Sequence, residues 1–139
     1  MNIALSTTLT DTDFADAIES TRKALSEQGF GVLTEIDMQA TLKAKLDEDM
    51  ERYVILGACN PGLAHRAVGV MRQIGLLLPC NVVVRENPAA ARSVVVEAMN
   101  PAIMVEVTGE PRLGAVAAEA TAKLQAAIAA LGGTGTTPQ

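Results

Sequence analysis

The chain has 139 residues, enough for one domain with a core of its own, and eleven Lys and Arg against sixteen Asp and Glu leave a net charge of −5. Hydrophobic residues make up 49% but aromatics only 2% (Phe14, Phe30, Tyr53, no tryptophan), so alanine and the branched aliphatics must build the core. This balance excludes a nucleic-acid binder, which needs a basic footprint and often stacking platforms, and a disordered chain, which would lack the aliphatics. Two cysteines cannot form a disulfide-rich scaffold.

Asn2 to Ser6 alternates as a strand does, and Thr10 to Gln28 reads as a helix. Thr10 or Asp11 is expected to cap that helix, acids fill its first turn, and Phe14, Ile18, Thr21 and Leu25 mark its buried face. Gly29 stops it. Gly31 to Asp37 alternates again, and Asp37 is placed to cap a short helix through Leu46. Tyr53 to Ala58 is a third strand, after which Asn60-Pro61 reads as the N-cap and first residue of a helix to about Arg72. Val82 to Arg85 and Ser93 to Ala98 pair across a turn-rich link, and a long helix from Arg112 to Leu131 ends at Gly132-Gly133. The order is β-α-β-α-β-α-β-β-(β)-α, the bracketed strand falling before the last helix. It predicts an α+β domain over residues 1–131, a sandwich with a largely antiparallel sheet. Residues 132–139 (GGTGTTPQ) read as a flexible tail. No stretch approaches the ~20 apolar residues of a membrane span, and no basic n-region marks an export signal. A cytoplasmic chain with reduced thiols is expected.

Chemistry concentrates at two irregularities. In Leu56 to His65, Cys59 occupies a strand-to-helix turn where free amides and the helix dipole favour thiolate, and His65 follows one turn in. In Leu76 to Val82, Pro79 interrupts the ladder beside Cys80 and Asn81, where unpaired amides and carbonyls would be open to a ligand. Cys59, His65 and Cys80 also make a candidate soft-metal set, although C-x5-H-x14-C is not a zinc spacing. Glu35, Asp37 and Lys45 form a polar group around the second strand, which also reads as a solvated face with a capping aspartate. There is no Gly-rich phosphate loop and no Gly-x-Ser-x-Gly elbow, so no cofactor is identified.

Gly29 to Asp37, Lys45, Ile55 to Pro61, Leu63 to His65 and Leu77 to Val82 together resemble domain-of-unknown-function family 302 of bacteria and archaea, over Ala4 to Leu131. The resemblance implies a curved antiparallel sheet with helices on one face, similar to the TATA-box-binding-protein-like fold, often dimeric. It places the family's characteristic positions on Glu35, Asp37, Lys45, Cys59, Asn60, Pro61, His65, Pro79, Cys80 and Asn81. Gly62 stands where the family often has proline, and Asn100-Pro101 where it often has Asp-Pro. The leading expectation is a binding domain for a small molecule or soft metal ion, with ligand contacts at Glu35, Asp37, Lys45, Asn60, Cys80 and Asn81. The alternatives are a thiol enzyme, with Cys59 as nucleophile and His65 as base, and a structural homodimer built on the exposed sheet. No membrane or nucleic-acid partner is expected.

Overall fold

The computed structural model describes residues 2–132. Its strands are β1 (Ala4–Leu9), β2 (Gly31–Asp37), β3 (Tyr53–Cys59), β4 (Cys80–Glu86) and β5 (Val94–Met99). Its helices are α1 (Phe14–Glu27), α2 (Met38–Leu46), α3 (Pro61–Val70), α4 (Ile103–Thr108) and α5 (Gly114–Gly132), with 3-10 turns at Arg72–Leu77 and Pro111–Leu113. The strands form one open sheet, β1-β5-β4-β3-β2, and every pairing is antiparallel. The expected α+β architecture is therefore present.

Period-2 alternation sends Leu5, Val54, Leu56, Val82, Val84, Val94, Val96 and Ala98 to one face. There they meet Phe14, Ala17, Leu25, Leu124 and Ile128 of α1 and α5 in the main core. Alanines at 17, 24 and 127 let the helices lie close to the sheet and to each other. A second cluster joins Leu63, Ala67, Ile74, Met104, Leu113, Val116, Ala117 and Ala120. It packs α3, α4 and the two 3-10 turns against α5, so α5 belongs to both cores.

Gly29 adopts φ +83° directly after α1, the left-handed stop expected of it. Three expectations change. The N-cap of α1 is Asp13, not Thr10 or Asp11, and its side chain makes no capping bond. Asp11 instead has φ 51° and pairs with Arg92, whose own φ is 54°. The bracketed strand is replaced by α4, because the Asn100 side chain bonds the Ala102 amide and Asn2 carbonyl, turning the chain off β5. Gly132 completes α5 beside Thr7. The remainder of the expected tail, 133–139, lies outside the described residues. Among those residues no helix is long and apolar enough to cross a membrane.

Candidate functional site

Asn60 and Cys80 meet at the seam between the two cores. Asn60 is the N-cap of α3: its Oδ1 accepts the Leu63 amide at 3.2 Å, and Pro61 takes the first helical position, where no amide is needed. Its Nδ2 lies against Gly29, where an added Cβ would come within 3.0 Å. Cys80 opens β4 opposite Ala58 and faces the helices at 7% exposure. Both residues line a small pocket with Phe30, Leu63, Ala64, Ala67, Leu78, Met104, Val116 and Ala120. Its volume, about 20 Å³, is room for one water molecule. Burial pushes the Cys80 thiol up to about 11, and the proximity of Cys59 adds to the effect. At neutral pH Cys80 is a protonated thiol and not a nucleophile.

The other sequence candidates do not converge there. Cys59 pairs with Gly31 and, one step along β3 from Ala58, stands on the opposite face from Cys80. His65 is exposed: α3 buries Leu63 and Ala67, and two residues of helix turn His65 about 200° away from Leu63. Among the described residues no group of three His, Cys, Asp or Glu side chains could hold a metal ion, so Cys59, His65 and Cys80 do not form the expected metal set. Cys80 and Asn81 lie ahead of the β4–β5 ladder, which begins at Val82. Both residues are in register with β3, at Ala58 and Gly57. Asn81 is exposed on the face opposite Cys80, and Pro79 packs over Gly57.

Glu35 and Asp37 do share a strand face, in register with Leu56 and Val54. They stay exposed because β2 is an edge strand, with a register shift between Val32 and Thr34. Asp37 caps α2, its Oδ1 accepting the Ala40 amide at 2.9 Å. Glu35 is paired with Arg22 of α1. Lys45 is exposed on α2, and Lys43 is the lysine that binds carboxylates, those of Asp47 and Asp49. This group is thus a cap, a surface ion pair and a solvated lysine. Sequence reasoning missed Phe30 and Met104 at the seam. Their only signal was a large apolar residue beside a glycine stop and another after Asn100-Pro101.

The opposite face of the sheet carries Tyr53, Ile55, Val83, Val95 and Met99, all half-buried, crossed by an Arg85–Glu97 ion pair at 2.8 Å. A shallow concavity of about 350 Å³ lies over Tyr53, Asn81, Val83, Glu97 and Met99.

An open five-stranded antiparallel sheet with two long helices on one face and a small helical annex defines the chain as an α+β domain. The model of the domain of unknown function DUF302 matches residues 5–131, and the chain belongs to that family. Its fold is similar to the crystal structure of an uncharacterised conserved DUF302 protein from Bacillus stearothermophilus. The two share 27% identity with a TM-score of 0.78, covering 88% of this chain and 94% of that one. No curated protein matches the sequence.

Proposed function

We propose that this domain binds a small, mainly apolar molecule in the seam between its two cores, with Asn60 at the rim and the neutral Cys80 thiol in the wall. One observation carries the reading: the pocket is walled by Leu63, Ala67, Met104, Val116 and Ala120 of the second cluster and closed by Phe30 of the main core. As it stands it holds about one water, so a ligand must part the α3–α4 annex from Phe30 and Cys80. The annex rests chiefly on α5, which makes a small outward shift less costly than disrupting the sheet. Cys80 contributes a weak polar contact here, not covalent chemistry.

Ligand-observed NMR with indole as probe tests the site. Indole binding is expected in the wild type, and Ala120→Leu, which fills the seam, should weaken it about tenfold or more, a change of ~1.4 kcal/mol. Equal binding by both proteins excludes the seam. A second reading, self-association through the opposite sheet face, is favoured by the apolar residues at its centre, where a solvated face would alternate to polar.

A further inference from the structure

We propose a second ligand site, for a small primary ammonium compound, in the cavity between the β4–β5 hairpin, the start of α1 and the segment leading into β3. The cavity measures about 350 Å³, and Glu51, Glu86 and Ser93 line it together with Arg92 and the small apolar residues of the hairpin. Ser93 is only 6% exposed, yet its hydroxyl makes no hydrogen bond among the described residues. Among the described residues every side-chain polar atom fully cut off from solvent has a partner, so the Ser93 oxygen keeps some solvent access, and the cavity it lines provides it.

The carboxylates share this spare capacity. Glu51 is half-buried and has neither an ion pair nor a hydrogen bond among the described residues. Glu86 accepts the Arg52 amide on Oε1 at 2.9 Å, which leaves Oε2 free. The cations close by are already engaged. Arg92 is bound to Asp11 through Nε at 2.9 Å, and the Arg52 guanidinium lies over the Phe14 ring at 4.4 Å. The wall therefore offers three acceptors, the Glu51 carboxylate, Glu86 Oε2 and Ser93 Oγ, and a net negative charge. A primary ammonium supplies three N–H donors and one positive charge, and its carbon chain can lie on Pro88 and Ala89. The left-handed Asp11 and Arg92 hold one wall of this cavity in place, since the Thr12 amide donates to the Arg92 carbonyl at 3.1 Å.

Titration of the full chain with n-butylammonium, followed by backbone amide NMR, tests the site. Saturable shifts are expected at Asn87, Ser93 and Glu51, and none with butyrate or with potassium chloride at equal ionic strength. Glu51→Gln, which removes no contact of the folded chain, should abolish saturation with the thermal midpoint retained. Ser93→Ala should weaken binding about threefold to tenfold, the worth of one hydrogen bond. Absence of saturable shifts, equal shifts with potassium, or wild-type affinity in Glu51→Gln each overturns the proposal.

Discussion

Cys80 shows how burial decides the chemistry of a side chain. A thiolate here would give up its hydration for the aliphatic surroundings of the seam, so the folded chain holds the proton up to about pH 11, against an ordinary value of 9.0. Below pH 9 the folded and unfolded chains both keep the proton, and the full contribution to stability is present. As pH rises from about 9 towards 11 the unfolded chain loses the proton first, and stability falls by about 2–3 kcal/mol across that window. Urea unfolding as a function of pH checks this: Cys80→Ala is expected to lack that part of the decline, whatever its own stability at pH 7. Parallel curves for the two proteins would show that the thiol is not shielded. Cys59, on the other face, was indistinguishable from Cys80 in the sequence, since each stands beside an asparagine near a proline. Strand parity separates them, and parity depends on where the ladder begins.

Among the elements, β2 and β3 depend on a close approach at Gly57. A Cβ there would lie 2.3 Å from Thr34 Oγ1 and 2.9 Å from Pro79 Cγ, so β3 must carry glycine where these side chains cross it. Gly57→Ala should destabilise the domain by about 1–3 kcal/mol, through overpacking. Adding Thr34→Ala should recover part of the loss, because the hydroxyl clash is removed and the Pro79 contact remains. Thermal melts of the single and double variants give the coupling, and strict additivity would contradict it. The end of α1 and the limits of α2 and α5 were largely legible in the sequence because caps, glycine stops and i, i+4 apolar spacing are local signals, whereas the start of α1 was placed about a turn too early. The replacement of a strand by α4 was not, since that turn depends on Asn100 reaching Asn2, which is distant in sequence.

At the scale of the whole molecule, the two long helices cover only one side of the sheet. The centre of the other side, with Tyr53, Ile55, Val83, Val95 and Met99, is more apolar than a wetted antiparallel face requires. Self-association through this face predicts a sedimentation mass of twice the monomer at micromolar concentration, and a monomer for Val83→Glu, which places a charge at its centre. A wild-type monomer at every concentration would rule it out. The same asymmetry separates the candidate sites: the Cys80 seam lies on the helix side, Asn81 and Glu97 on the open side, and the Ser93 cavity at the hairpin end.

The sequence alone determined the α+β class, the antiparallel run of strands, the N-cap at Asn60 and the family, because periodicity, capping residues and linked motifs are written in neighbouring positions. Tertiary structure decided which of those residues face one another. It put Cys80 in a wall with Met104 and Phe30, and turned His65 to solvent and Asn81 to the far face. It also left the Ser93 hydroxyl, at a residue 6% exposed, with no hydrogen bond among the described residues. Such juxtapositions depend on strand parity, helix rotation and the meeting of two cores, which arise only when distant segments pack.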